Sequence, residues 1–382
     1  MHNLHEYGWN PHFASHLLPD ESPALVARVV QEHKEAYLVR AAALGMKNVW
    51  AEISGKIRHH AAVRADFPAV GDWVILRGLE HVTDNNNPGP VQITRILPRS
   101  STLARRLDSS RGGKSTTDTS GDDQILAVNI DLAFLGTSLN ENFNPRRLER
   151  YLALARDAGV QPVVLLTKAD LCADPAPFIE QARAVVPPPH HAHIHAVSVV
   201  SNLGLDAVRA YLQPGITAVI LGSSGVGKST LVNYLAEADL QDMMETRDFD
   251  DKGRHCTTFR HLVRTPHPPM GGLIIDTPGL RGLALGEATD ALAATFTDIE
   301  SLAHACKFSD CNHDTEPGCA IKAALETGTL DPDRLESYLR MQREVAALAR
   351  RENRIATRKQ NRLEKRASAA QHEKQKRKWN QY

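Results

Sequence analysis

The stretch Ile216–Ala238, ITAVILGSSGVGKSTLVNYLAEA, constrains the fold more than any other. Gly222, Gly227, Lys228 and Ser229 fill the fixed positions of G-x-x-x-x-G-K-[ST], with Ser223, Ser224, Gly225 and Val226 inside the loop and Thr230 just after it. Ile216–Leu221 reads as a buried strand, and Thr230–Ala238 has apolar residues at helical spacing. Strand, glycine turn and helix aim backbone N–H groups and a helix N-terminus at one point, which suits a phosphate. In such a loop Lys228 reaches the β- and γ-phosphates and the Ser229 hydroxyl ligates Mg²⁺. RGGKST at Arg111–Thr116 is a decoy: its first glycine would fall on Asp108, and no buried strand precedes it.

A phosphate loop does not choose a base. Thr167-Lys168-Ala169-Asp170 resembles the N-K-x-D motif of GTPases and ends the apolar run Pro162–Leu171. A carboxylate there accepts bonds from guanine N1–H and the exocyclic amine. Adenine offers neither donor, so Asp170 would go unsatisfied against it. Lys168 lays its stem along the base. Thr167 replaces the usual Asn, which predicts a weaker tie between this motif and the phosphate loop. Ser198 in AVSVVSNLGL sits where a backbone N–H meets the guanine O6.

Asp276–Gly279, DTPG, follows the apolar Leu273–Ile275; Asp276 would act on Mg²⁺ through a water, and the Gly279 N–H would contact the γ-phosphate. Between phosphate loop and DTPG lies the irregular Gly253–Thr258, where Thr257 or Thr258 would ligate Mg²⁺ only when a γ-phosphate is present. Leu280 stands where Ras-like enzymes hold a water-orienting Gln, so hydrolysis needs another group. His255 in the switch is the nearest candidate beside Lys228; a role confined to shaping the loop stays equally open. Ordinary GTPases place the base-reading motifs after DxxG, whereas here they come first, a circular permutation.

The 382 residues allow two or three domains, and 45 Lys and Arg against 45 Asp and Glu give no net charge. That balance hides an asymmetry. Arg334–Tyr382 holds 15 basic and 5 acidic residues, leaving 30 against 40 elsewhere. A basic block at one end predicts a polyanion partner. No apolar run approaches the roughly 20 residues of a membrane span, and the N-terminus lacks the apolar core of an export signal. Five cysteines then point to reduced thiols or metal ligands, and to a cytoplasmic chain.

The chain divides into a loosely ordered lead-in (1–23), a small barrel (24–100), a flexible linker (101–123), a permuted α/β domain (124–285), a metal-binding module (286–333) and a basic helical tail (334–382). The barrel rests on five short β segments, Ala24–Val30, Ala36–Arg40, Asn48–Ser54, Asp72–Leu76 and Val91–Ile96. An OB-type barrel binds RNA or single strands on its face and loops; Trp50 and Trp73 are candidate stacking residues, although core burial is the commoner fate of such rings. Arg105, Arg106, Arg111 and Lys114 in the linker either touch phosphates or lie solvated. From Ile125–Leu139, read as one buried strand, strands alternate with helices, implying a parallel sheet with ligands beyond its strand C-termini.

Cys306-x₄-Cys311-x-His313-x₅-Cys319 packs three cysteines and a histidine into 14 residues. Cys₃His supplies the four tetrahedral ligands Zn²⁺ wants, and a small helical module needs a staple. Cys172 and Cys256 stand alone, and the tract at His190–His195 reads as loop and surface histidines. Arg334–Lys378 reads as a long basic helix of the kind that inserts among RNA phosphates.

TKAD, GSSGVGKST, GRHCTT, DTPGL and CKFSDCNHDTEPGCA together, behind an N-terminal barrel, resemble the family of ribosome small-subunit-dependent GTPase A (RsgA) over about Ala24–Ala346. The resemblance implies a multidomain fold: an OB barrel, a circularly permuted P-loop GTPase domain and a helical zinc domain with a basic tail. It implies GTP hydrolysis to GDP and phosphate, with Mg²⁺, stimulated by the small (30S) ribosomal subunit late in its maturation. Barrel and zinc domain would grip rRNA in a cytoplasmic, membrane-free monomer holding one zinc. It also implies that His255 and Leu280 fill the family's switch histidine and hydrophobic-substituted position. Thr167, Cys256 where a threonine is usual, and the long tail depart from the pattern; the second leaves the choice between Thr257 and Thr258 open. An RNA-binding protein holding a static guanine nucleotide is the alternative. A P-loop ATPase or nucleotide kinase would give Asp170 no task.

Overall fold

The computed structural model describes residues 4–33, 36–61, 63–83, 89–106, 123–140, 143–186, 193–223, 225–237, 260–266, 271–276, 289–308, 311–314, 316–346 and 350. Two compact units, Met1–Ala284 and Leu285–Tyr382, make up the chain.

In the first unit, alternating apolar residues between turns produce β1 (Val26–Glu32), β2 (Ala36–Ala41), β3 (Lys47–Ile53), β4 (Trp73–Arg77) and β5 (Gln92–Ile96). β1 pairs with β2 and β2 with β3, both antiparallel; β3 joins β5 in parallel, β5 joins β4, and β4 returns to β1. This closed ring of five strands is an OB-type barrel. Ala27, Val29, Val39, Val74, Leu76 and Ile93 fill its interior. Trp73 is wholly buried, as core aromatics usually are, whereas Trp50 on β3 is 51% exposed.

The N-terminus departs from the sequence reading. Residues 4–23 are no loose lead-in: Leu4–Tyr7 and Pro11–Ala14 form helical turns, and Asn10 caps the second by accepting the His12 and Phe13 amides. Phe13 is buried, and Trp9 meets Trp73 edge to face at 4.9 Å. These rings plug the outer side of the barrel singly, so no helical or strand period marks them in the sequence.

Arg28 bolts three segments together. Fully buried on β1, its guanidinium donates to the carbonyls of Tyr7, of Gly71 at 3.2 Å and of Asn129 at 3.0 Å. Burial pulls its pKa down to about 10, against the opposing pull of Asp131 and Asp72.

The run read as one strand over Ile125–Leu139 is two. β6 (Thr102–Arg106), inside the stretch read as linker, pairs antiparallel with β7 (Asp123–Val128), and β8 (Leu132–Ser138) belongs to a different sheet. The chain breaks between them at Asn129, which takes a left-handed φ of 55° that Asn tolerates better than most residues. Its side chain accepts the Ser100 amide and donates to the Gly71 carbonyl.

β8, β9 (Gln161–Thr167), β10 (His193–Ala196), β11 (Thr217–Gly222), β12 (His261–Arg264) and β13 (Leu273–Asp276) form a sheet in the order β10-β9-β8-β11-β13-β12. All neighbours run parallel except β12 against β13. Helices Pro145–Asp157, Ala176–Val185, Leu205–Tyr211 and Lys228–Ala236 make the crossovers. Phe134, Val163, Leu165, Ile220, Leu231 and Ile274 are among the residues of its core. The sheet runs on into the barrel, because Gln31 on β1 pairs with His261 on β12.

The second unit is helical: Thr289–Thr295, Thr297–His304, Ala320–Glu326 and residues 332–346. The last described helix opens the stretch read as a long basic helix from residue 334, and one of its faces is buried in the unit. Tyr338 and Met341 are buried, and Tyr338 meets Phe296 edge to face. Arg334 is buried too, bonded twice to Asp298 at 2.7 Å and stacked over Phe296. A helix face of this spacing serves the core first, so Arg334 belongs to the core and not to the basic surface. Residues 351–382 lie outside the described residues.

Candidate functional site

The expected motifs meet at the C-terminal ends of the parallel strands, where an α/β sheet collects ligands. The phosphate loop leaves β11, TKAD leaves β9, Ser198 follows β10, and Asp276 ends β13. Strands β9 and β10 precede the phosphate loop in the chain, and in the sheet they lie on the far side of β8 from β11, with their C-terminal ends on the same edge.

Sequence dictates the shape of the loop. A Cβ on Gly222 would come within 2.7 Å of the Val226 side chain and 3.0 Å of the Gly136 carbonyl. Gly227 turns into the helix at φ 96°, which side chains disfavour. Lys228 folds back over the loop and donates to the carbonyls of Gly222 at 2.9 Å and Ser223 at 2.7 Å. Burial pushes the Lys228 ammonium down, with Asp276 pulling it back up. The Asp276 carboxyl is pushed up by burial, with Lys228 opposing. Buried Lys228 at the start of its helix and half-buried Asp276 at the end of β13 form the pole around which a phosphate and its metal would be arranged. Ser229 is half-buried and Thr230 exposed on the first turn of the helix.

At the other end of the site, Lys168 takes a left-handed backbone at φ 59° and starts the short turn Ala169–Leu171. That turn carries Asp170 into the open, while Ala169 is buried. The Ser198 hydroxyl donates to Asp170 Oδ1 at 2.5 Å and fixes the carboxylate. Ser198 and Leu203 exchange backbone bonds at 3.0 Å, which closes the loop behind it. The sequence reading gave Ser198 only a backbone role; the side-chain bond is an addition.

Thr167 corrects that reading. It does not loosen the link between the motifs: its hydroxyl, on a residue only 8% exposed, donates to the Val226 carbonyl of the phosphate loop at 2.7 Å. Threonine is shorter than asparagine but reaches because β9 and β11 both flank β8. Arg147 was missed altogether. In the first turn of the Pro145–Asp157 helix, it donates through Nη1 to Ser223 Oγ at 3.1 Å. The signal for its position is Asn144-Pro145, a capping residue followed by Pro at N1, which places the next arginines beside the loop.

Ser224, His255, Cys256, Thr257, Thr258, Gly279 and Leu280 lie outside the described residues, as do Arg111 and Lys114.

In the second unit Cys306, Cys311, His313 and Cys319 present ligand atoms all within 4.8 Å of one another. Cys306 Sγ lies 3.9 Å from Cys319 Sγ, and each lies 3.6 Å from His313 Nδ1. Zinc bond lengths of about 2.3 Å to sulfur and about 2.0 Å to nitrogen put tetrahedral ligand atoms about 3.8 Å apart for two sulfurs and about 3.5 Å for sulfur and nitrogen. The donor set fits such an ion. Gly318, at φ 77°, makes the turn that returns Cys319, whose sulfur caps the Ala320–Glu326 helix. This cluster can hold a metal. Of the His190–His195 tract, His195 bonds Tyr211 at 2.9 Å on the edge strand β10.

Known proteins share this arrangement. The model described as RsgA GTPase matches residues 96–286. The small ribosomal subunit biogenesis GTPase RsgA 2 of Lactiplantibacillus plantarum is 42% identical over 344 residues, covering 90% of either chain. That of Opitutus terrae, named RsgA, is 41% identical over 352 residues and 91% of either chain. Among solved structures, YloQ, described as a circularly permuted GTPase, superposes with a TM-score of 0.52 at 25% identity, over 85% of this chain and 95% of its own. YjeQ from Thermotoga maritima shares the fold, with a TM-score of 0.54 at 23% identity over 85% of this chain and 98% of its own. With its motifs permuted in sequence yet gathered at one sheet edge, and with relatives of this identity along nearly its whole length, the chain belongs to the RsgA GTPase family.

Proposed function

We propose that the chain hydrolyses GTP to GDP and phosphate in the late biogenesis of the small ribosomal subunit, and that the subunit stimulates the reaction. One observation carries the guanine-nucleotide reading: Asp170, oriented by Ser198, and the phosphate loop are tied into one site by Thr167. The distance between base and phosphates is thereby set by two rigid strands.

Asp170 accepts the guanine donors, Lys168 covers a face of the base, and Ala169 lines that end of the pocket; Ser198, whose N–H is taken by the Leu203 carbonyl and not left for the guanine O6, acts there through its hydroxyl on Asp170. Gly222–Gly227 wrap the phosphates with backbone N–H groups. On nucleotide binding Lys228 trades its two carbonyl partners for phosphate oxygens, which favours its charged form. Mg²⁺ would supply charge neutralisation at the phosphates; Ser229, Asp276 and one of Thr257 and Thr258 would hold it. Gly279 would sense the γ-phosphate, and His255 is the candidate to position the attacking water. One Zn²⁺ per chain would hold the Cys306–Cys319 knuckle together. Small-subunit rRNA would meet the barrel, where exposed Trp50 on β3 offers a stacking face, and the basic residues after 346. No helix among the described residues is long and apolar enough to cross a membrane. The chain would act in the cytoplasm, as a monomer. In this reading the barrel begins near residue 24 with the N-terminal turns packed on it, and the zinc module begins near residue 286 and takes in the helix of residues 332–346.

Competition binding tests the base assignment. GDP should displace a fluorescent guanine nucleotide at least about 100-fold better than ADP, and Asp170→Ala should erase the difference. Equal displacement by the two in the wild-type chain would refute the assignment.

A further inference from the structure

We propose that Arg264 is a positioning residue: held by Glu6 and Tyr7, it carries the effect of RNA docked on the barrel into the strand that joins the two switch motifs. This assignment rests on the reading of subunit-stimulated GTP hydrolysis above and supplies the route of its regulation.

The place of β12 in the chain gives the reason to look there. The strand begins at His261, just after the expected switch Gly253–Thr258, and the next strand, β13, ends in Asp276 of DTPG. Their antiparallel register sets Arg264 opposite Leu273 and His261 opposite Asp276. On its other edge β12 meets the barrel, where His261 pairs with Gln31 of β1. One strand of four residues thus stands between the barrel and the strand that carries the metal-facing carboxylate.

Arg264 fastens that strand to the N-terminal turns. Its Nη2 donates to Glu6 Oε2 at 2.8 Å and its Nη1 to the Tyr7 hydroxyl at 3.1 Å. Its guanidinium also lies over the Tyr7 ring, 5.1 Å from the ring centre. Arg40, from β2 of the barrel, places a second guanidinium over the same ring at 5.4 Å. The turns are tied down in their own right. The Tyr7 carbonyl accepts from buried Arg28, and the Glu6 carbonyl accepts the Gly215 amide at 3.3 Å. A Cβ on Gly215 would come within 2.6 Å of the His5 carbonyl, so this approach needs glycine. Arg40 leads outward: its Nε donates to Asn48 Oδ1 at 3.2 Å. Asn48 and Trp50 are two residues apart on β3 and share its outer face, since Val49 and Ala51 pack inward.

Two like charges on one phenol ring are a balanced arrangement. Each cation gains from the face of the ring and repels the other. Burial, and after it Arg264, hold the Arg40 guanidinium below its ordinary value against the pull of Tyr7. RNA phosphates on the outer face of β3 would attract Arg40 and offset its repulsion of Arg264. Tyr7 and Glu6 then hold Arg264 more firmly, and β12 with it. That strand sets the register of β13 and so the place of Asp276.

The test uses the full chain as Arg264→Gln, Glu6→Gln, Tyr7→Leu and the double variant of Arg264 and Glu6. The readouts are phosphate release from GTP with and without small subunits, GDP affinity and association with subunits. Each single variant should lose at least about fivefold of the stimulation, the size of an ordinary coupling between sites. Release without subunits, GDP affinity and subunit association should stay within about threefold, because the contacts removed lie away from the phosphate loop, TKAD and Trp50. The double variant should lose no more than Arg264→Gln alone, as the two ends of one contact do. Full stimulation of Arg264→Gln would overturn the assignment. So would losses that multiply in the double variant. Weak GDP binding by Arg264→Gln would overturn it as well, marking a brace on the whole domain, and weak subunit association would mark a docking contact instead. A wild-type chain that binds GDP but gains nothing from subunits would sink the stimulation reading, and this assignment with it.

Discussion

Thr167 and Val226 stand 59 residues apart in the chain and are joined by a hydrogen bond of 2.7 Å from hydroxyl to carbonyl. The bond links the end of β9, where the base would be read, to the loop after β11, where phosphates would lie. Both ends sit on strands packed against β8, so the distance between the two halves of the site is a property of the sheet.

Replacing Thr167 with Val keeps the shape and removes the donor, leaving a buried carbonyl unpaired. GDP affinity should fall about fivefold, roughly 1 kcal/mol, with the thermal midpoint lowered as well. Thr167→Asn should retain binding by restoring a donor at the same place. Unchanged GDP affinity in Thr167→Val would show that the link has no bearing on the site.

The alternation of strands and helices and the positions of TKAD and the phosphate loop were legible because each motif joins an apolar run to turn residues. Thr167 was misjudged because reach depends on which strands are neighbours in the sheet, and neighbours in a permuted domain are far apart in sequence. Arg28 went unremarked because an arginine in VARVVQE looks like the polar member of an alternating strand. Only Tyr7 of the N-terminal turns, Gly71 and Asn129, all brought from elsewhere, give its guanidinium three carbonyls. Composition is silent on a related point: Arg334 counts as charge in the basic block and as core in the fold.

His261 makes the first unit sensitive to acid. Burial, reinforced by Arg40, pushes its pKa down from 6.5 to about 4. Between those values the unfolded chain takes up a proton that the folded one refuses, so stability falls as the pH falls. The loss across that window is about 3 kcal/mol for this group. Urea unfolding at pH 7 and pH 4.5 should therefore show a smaller drop in His261→Gln than in the wild type. Identical drops would mean that His261 titrates normally.

The metal reading predicts a local collapse. Prolonged chelation should release one zinc per chain and remove the protection from hydrogen exchange of the Ala320–Glu326 helix, whose first turn Cys319 caps. Cys311→Ser should do the same without a chelator. GDP binding to the first unit should persist in either case. Full protection of that helix after complete metal loss would contradict a structural metal.

Phosphate release from GTP, with and without purified small ribosomal subunits and with ATP as control, tests the central claim most directly. The account predicts slow release from GTP alone, a rise of at least about tenfold on adding subunits, and no comparable release from ATP. GTP bound firmly but turned over no faster with subunits than without would contradict it.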